Sequence, residues 1–242
     1  MAKNEAIRRV QERLIIRIAA AHETRLARVL SSAYNKGASE IAKDRLYEGS
    51  VTKVLMDAEG QLENMYKTAF SAVGELTTRQ INGKSRKDSL FERAMTNFAR
   101  MHAGEKITQI TSTTQDRIKN ILTSGLEAGL SISEIAAQIR AEGRIQSRVR
   151  AHIIARTETH SAAGAGSMET ARQSRVVRMK EWLEVDDDRT RDGDNSDFDH
   201  TNVEPVSKDM KFLVSGERLD YPGDPAGSPG NIVLCRCGMA FF

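Results

Sequence analysis

Every proline in the chain, Pro205, Pro222, Pro225 and Pro229, lies near its end, and the long stretch before them has none. Proline removes a helical donor and clashes with the preceding turn, so a proline-free stretch whose apolar residues recur at steps of three and four predicts helices. Residues 1–183 read as a helical array. A first helix sets Ile7, Val10, Leu14 and Ile18 on one face, continues through Leu26, Val29 and Ala33, and is expected to break at Asn35-Lys36-Gly37. A second, from about Val51, carries Leu55, Ala58, Leu62, Met65, Ala69, Val73 and Leu76 at the alternating steps that a partner helix requires. A third is expected over Leu90–His102 and a fourth from Thr113, where Thr-Thr-Gln-Asp offers Asp116 back to a Thr cap. Ser131 and Glu134 form a capping box just after Gly129, so one helix ends there and the next begins at Ser131. A last helix is expected over Gln146–Arg175. For the apolar stripes the reading is bundle packing, not a ligand site.

Beyond Trp182 the texture changes to short runs such as "KEWLEV", "MKFLV" and "NIVLCRC" among Gly, Pro and Asp clusters, which predicts a small β-containing module. The fold class is therefore α+β, a mostly helical N-terminal array followed by that module. Three regions are expected: 1–104 and 105–183, both helical, and 184–242, ending in a Cys-x-Cys strand. With 242 residues, 39% of them hydrophobic, the chain can build a real core. Charge divides with the texture. From Glu184 onward 13 acidic residues face 6 basic ones, a net of −7, whereas residues 1–183 carry 30 basic and 20 acidic groups, a net of +10. The apolar run "LIIRIAAAH" is broken by Arg17 and is far too short to span a membrane, and neither a secretory signal nor a membrane partner is expected.

Cys235 and Cys237 are the only cysteines. Two cannot make a disulfide framework, so a reducing compartment is the default. As strand neighbours at i and i+2 they would point the same way, roughly 6.6 Å apart, at the edge of the bridging range. Two readings stay open: buried structural cysteines, or a zinc site completed by His200 and one of Asp194 or Asp199. The segment "DRTRDGDNSDFD" places Asp188, Thr190, Asp192, Gly193, Asp194, Ser196 and Asp199 at EF-hand positions, but with Thr at the third, Asp at the last and a strand-like "EWLEV" before it. The alternative is a solvated acidic loop capped by its own Asp side chains.

No nucleophile and base are visible: His22, His102, His152 and His160 fall in helical stretches, and no Gly-rich phosphate loop precedes a helix. The Thr111–Thr113 run lacks the acidic pair that an ADP-ribosyl transferase needs. No enzyme activity is expected and no catalytic residue is assigned. The +10 excess could neutralise DNA phosphates without reading sequence; the alternative is a solvated helical surface.

"AHIIARTETHSAAGAGSMETARQ", then "KEWLEVDDDRTRD", then "YPGDPAGSPGNIVLCRC" resemble, in order and spacing, the signatures of the Mu F-like minor head proteins, or head morphogenesis proteins, of tailed bacteriophages. The resemblance covers about residues 105–240 and falls on Ala155, Arg156, Thr157 and Glu158, on Trp182, on Arg189, Thr190 and Arg191, on Tyr221, Pro222, Gly223, Asp224 and Pro225, and on Cys235, Arg236 and Cys237. One departure concerns the family's histidine after Arg-Thr-Arg: its place holds Asp194, with His200 downstream. The resemblance implies a minor capsid protein that joins the portal protein during head assembly, alongside major capsid or scaffolding proteins. Such a protein is made in the host cytoplasm and carried inside the virion near the portal, where it touches or travels with double-stranded DNA during packaging and ejection. It also implies that Arg156, Glu158, Trp182, Arg189, Thr190, Arg191, Tyr221, Pro222 and Asp224 hold the module together. Arg189 and Arg191 are expected to neutralise the acidic turn, and the thiols to finish a terminal strand that docks the tail. Two alternatives are a toxin or nucleotide-transferring enzyme on the same module, against which the ending "CRCGMAFF" would count, and a non-specific DNA-binding packaging accessory.

Overall fold

In a computed structural model the described residues are 2–82 and 89–242. Five helices precede the β-containing region: α1 (Ala2–Ile41), α2 (Glu48–Met56), α3 (Glu59–Asn82), α4 (Ser89–Glu127) and α5 (Ile132–Gln173). The α+β class expected from the sequence is the one observed.

The predicted helix breaks are where structure and pattern part. α1 runs straight through Asn35-Lys36-Gly37. A mid-helix glycine costs about 1 kcal/mol against alanine, but a Cβ on Gly37 would stand 2.8 Å from the Ile118 side chain, so the missing side chain is what admits that contact. α4 likewise passes Thr113 without a cap. The hydroxyls of Thr108, Thr111, Thr113 and Thr114 each donate to the carbonyl four residues back, which satisfies them inside a continuous helix. α5 joins the two last expected helices through Gly143, whose bare Cα lies against Tyr34, where a Cβ would meet the Tyr34 Cβ at 2.6 Å. In each case packing overrides local propensity. Conversely, the expected second helix is broken at Asp57 and Ala58, although its stripe of Val51, Leu55, Ala58, Leu62, Met65, Ala69 and Val73 stays buried across the break.

The capping box is present as predicted. The backbone N–H of Ser131 donates to Glu134 Oε2 at 2.7 Å, the Glu134 N–H donates to Ser131 Oγ at 3.3 Å, and Gly129 takes the left-handed φ of 70° that ends α4.

Contacts divide the chain into two compact units, each assembled from separated stretches. One comprises Ala20–Asn64 and Arg100–Ala155. Its core buries Leu26, Leu30, Tyr34, Leu55, Leu62, Ile107, Ile118, Ile135 and Ile139. Arg150 reaches into it and donates to Thr114 Oγ1 at 2.9 Å, and burial lowers its pKa.

The other unit comprises Met1–Ala19, Met65–Ala99 and Arg156–Phe242 and holds both sheets. β1 (Met179–Leu183) lies between β2 (Val206–Ser207) and β5 (Gly238–Phe241), antiparallel to both, with Trp182 opposite Met239. β3 (Phe212–Val214) and β4 (Glu217–Leu219) form a hairpin whose turn residues, Ser215 and Gly216, both take positive φ, as the twist-matched two-residue turn demands. The expected "NIVLCRC" strand is not formed: Pro229–Ile232 makes one helical turn, α6, Leu234 takes φ 55°, and pairing begins only at Gly238. The cysteines therefore precede the terminal strand rather than finish it.

The face of α1 in this unit is also shifted from the predicted stripe. Val10 is exposed, whereas Arg8, Gln11 and Ile15 are buried. Gln11 is buried because its side-chain amide mimics a strand: Nε2 donates to Met239 O at 3.1 Å, and the Met239 N–H donates back to Oε1 at 3.3 Å. That satisfies backbone groups of β5, which would otherwise be costly to bury.

Candidate metal centre

Four segments converge beside β5. β1 supplies Trp182, 2% exposed, whose ring meets His200 edge-on at 5.5 Å and Phe212 at 5.5 Å. The loop before β2 supplies His200, 1% exposed. The irregular segment before β5 supplies Cys235 and Cys237, both buried and free. α5 supplies His160, also buried.

One donor atom each from His200, Cys235 and Cys237 lies within 4.8 Å of the others. His200 Nδ1 stands 3.5 Å from Cys237 Sγ and 3.8 Å from Cys235 Sγ. The opposite ring nitrogen, Nε2, is 3.0 Å from Asn231 Oδ1, while Asn231 Nδ2 donates to Val214 O at 3.4 Å. Because the amide spends its N–H on Val214, its oxygen must accept, so His200 carries its proton on Nε2 and turns a bare Nδ1 toward the sulfurs. The Cys235 thiol is held well below its ordinary pKa, chiefly by the hydrogen bond from Cys237 and further by His160 and His200, against burial. Cys237, the donor of that bond and equally buried, is pushed up, with the Trp182 indole acting the other way.

The structure thus brings together the three residues expected to share a site, and it leaves the acidic candidates for a fourth ligand elsewhere. Asp199 Oδ1 accepts from the N–H and hydroxyl of Thr201, both at 2.7 Å, and Oδ2 from Asn202, bonds that lower its pKa to about 2. Asp194 is exposed. The EF-hand reading fares no better, because β1 precedes the loop where a helix should enter, and Asp192 spends Oδ1 on the N–H groups of Asp194 and Asn195. This is an Asx-capped acidic turn.

The family-motif positions surround the cysteines as packing. Glu158 is buried and accepts from Tyr66 Oη at 2.7 Å, and Thr157 Oγ1 accepts from the Leu234 N–H at 3.1 Å. Arg156 lines the same cavity as His160, Cys235 and Cys237. Tyr221 is buried, its hydroxyl pKa pushed up by burial, and it packs with Pro222 O on Gly164 of α5. Asp224 ties the turn, accepting from the Asp220 N–H at 2.7 Å and the Ala226 N–H at 3.0 Å. Thr190 is buried and within 3.4 Å of Asp187 Oδ1.

Charge neutralisation in the turn falls mainly to a residue not anticipated for it. Arg191 donates to the carbonyl of Val233 at 2.6 Å, and Arg189 is exposed, 3.6 Å from Asp187. It is Arg236, between the cysteines, that grips Asp187 with both guanidinium arms, one of them at 2.7 Å. That pair, with the Arg189 N–H next, holds the Asp187 carboxyl well below the usual range. A depressed folded-state pKa adds stability above the ordinary value of about 3.9 and loses it as pH falls through that range and below. Asp187→Asn is therefore expected to lower Tm modestly at pH 7, and the gap from the parent should close on acidification below pH of about 3. A gap independent of pH in melts across that range would contradict the assignment. His160, Gln11 and Arg236 were all missed by sequence reasoning, and only Arg236 had a signal, its place inside the Cys-x-Cys pair.

Comparison with known proteins bears on residues 116–240, which match a family described as "Phage Mu protein F like protein". The uncharacterized protein YqbB of Bacillus subtilis (strain 168) is 29% identical over 128 residues, covering 52% of this chain and 41% of that protein. The match thus spans less than half the length of that relative. No solved structure matches the chain.

Proposed function

From the premise that this chain belongs to the phage Mu protein F-like family, whose signature spans residues 116–240, we propose that it is a head morphogenesis protein: a minor capsid component that joins the portal vertex during procapsid assembly. The family match is the observation that carries this reading. The packing of the motif positions supports it, since Glu158, Trp182, Thr190, Tyr221, Pro222 and Asp224 are buried and tie helix to turn rather than line an open cleft. Portal protein, with major capsid or scaffolding proteins beside it, is the proposed partner, and the interior of the virion the proposed destination after assembly in the host cytoplasm. Sequence-independent contact with packaged double-stranded DNA is the accompanying proposal, supported by the +10 excess of residues 1–183.

The test is quantitative mass spectrometry of purified procapsids and mature particles, with the portal protein present or deleted. Low-copy incorporation that vanishes without portal is the expected result. Absence from both particles would overturn the proposal, and incorporation that ignores portal deletion would overturn the portal association.

A further inference from the structure

We propose that the unit holding the β-strands carries one buried structural zinc ion, ligated by Cys235, Cys237, His200 and His160. The inference stands on side-chain geometry and is independent of the head-assembly reading.

Zinc bonds of about 2.3 Å to sulfur and about 2.05 Å to nitrogen, at the tetrahedral angle, put an S and an N ligand about 3.6 Å apart. His200 Nδ1 lies 3.5 and 3.8 Å from the two sulfurs. Thiol hydrogen bonds alone explain this less well, because an imidazole nitrogen has one lone pair and two sulfurs converge on it. The outer bond fits as well. A metal-bound histidine commonly donates its other ring N–H to a fixed acceptor, and His200 Nε2 faces Asn231 Oδ1 at 3.0 Å, with Asn231 itself oriented by Val214 O.

His160 is the fourth ligand. It is 5% exposed, lines one cavity with Cys235 and Cys237, and contacts the Cys235 thiol, yet its Nε2 is buried with no hydrogen-bond partner. Its ring lies against Gly223, where a Cβ would come 2.6 Å from His160 Cδ2. Gly223 has φ 82° and lies in the Tyr-Pro-Gly-Asp-Pro motif, so the motif's glycine makes room for the ring. A second orphan flanks the set: the Trp182 Nε1–H is buried without a partner, beside Cys237, and a metal-bound thiolate is the acceptor it lacks. His160 stands outside the group formed by the His200, Cys235 and Cys237 donor atoms and is the fourth ligand assigned to the ion. Two thiolates and two imidazoles in a closed, buried set suit zinc and a structural role. The ion would tie α5, the acidic loop and the segment before β5 together, alongside the Arg236–Asp187 pair and the Arg191–Val233 and Thr157–Leu234 hydrogen bonds.

The test uses the full chain purified under reducing conditions without chelator or metal-affinity resin. One zinc per chain by elemental analysis is expected, and its X-ray absorption fine structure should fit two sulfurs at about 2.3 Å and two imidazole nitrogens at about 2.0 Å. Asn231→Ala should bind zinc roughly 10–100-fold more weakly while keeping the same absorption spectrum on cobalt substitution, as expected for a residue that positions a ligand. Sub-stoichiometric zinc, or a Cys235–Cys237 disulfide under these conditions, would overturn the site. Two sulfurs with a single imidazole would overturn the place of His160, and unchanged zinc affinity in Asn231→Ala would overturn the positioning by Asn231.

Discussion

Trp182→Ala is expected to destabilise the unit that holds the β-strands by about 3–5 kcal/mol, the range for removing a fully buried aromatic side chain. The side chain is 2% exposed and is held on two sides, edge-on against His200 and against Phe212, each at 5.5 Å. It sits on the central strand of the three-stranded sheet, opposite Met239 of β5, so the cavity left by alanine opens within the core of the module. For a chain of this size the loss corresponds to a drop in Tm of roughly 6–20 °C. Because Trp182 is the only tryptophan, the melt should be followed by circular dichroism rather than intrinsic fluorescence. Trp182→Phe keeps ring packing and should lose less than half as much. An alanine variant within about 1 kcal/mol of the parent would contradict the view that this residue organises the module.

The second large effect is expected at Gly166. A Cβ there would lie 2.9 Å from the Phe70 carbonyl carbon and 3.0 Å from its Cα, and closer still to the oxygen. These are backbone atoms, so no rotamer change can relieve the contact and α3 and α5 would have to part. Alanine would gain about 1 kcal/mol of helix propensity, but backbone overpacking outweighs it, and Gly166→Ala is expected to cost about 3 kcal/mol net, at the upper end for overpacking. Gly60→Ala is the matched control. No atom lies within 4 Å of a Cβ at that position, so the substitution should be neutral or stabilising by up to about 1 kcal/mol. The pair is read by urea or thermal denaturation, and equal signs at the two positions would sink the close-approach argument.

The contrast between these glycines shows where sequence legibility stops. Both sit in helices, and local propensity treats them alike. Gly37 misled in the same way, as part of the break expected in α1, and the boundaries expected after His102 and before Gln146 are likewise passed straight through by α4 and α5, which carry Gly104 and Gly143 there. For Gly37 and Gly143 the reason is a side chain far away in sequence, Ile118 and Tyr34 respectively, that occupies the space a Cβ would fill. Where the signal is local the reading held. Ser131 and Glu134 cap each other across three residues, and the α+β class follows from periodicity and the placement of proline.

The candidate metal centre divides along the same line. Cys235, Cys237 and His200 could be named because their residue types limit what they do when buried together. His160 looked like any helical histidine, and of the carboxylates the acidic loop offered, Asp199 is engaged by Thr201 and Asn202 while Asp194 is exposed. Arg189 and Arg191 stood beside the acidic residues in sequence, whereas Arg236, far along the chain, holds Asp187.

Residue types and their short-range spacing were enough to settle that the described residues up to Gln173 are mostly helical, along with the capped start of α5 and the types of the reactive side chains, because each depends on interactions within a few residues. The stretch read as helical ran on to 183, and there the chain instead forms β1 (Met179–Leu183), which exists only by pairing with β2 and β5. Where helices end, which face of α1 is buried, how Gln11 clasps β5 and which histidine stands beside the thiols depend on contacts between stretches up to 228 residues apart. Those contacts exist only once the backbones have packed, and their energies outweigh the local preferences of about 1 kcal/mol from which a sequence is read.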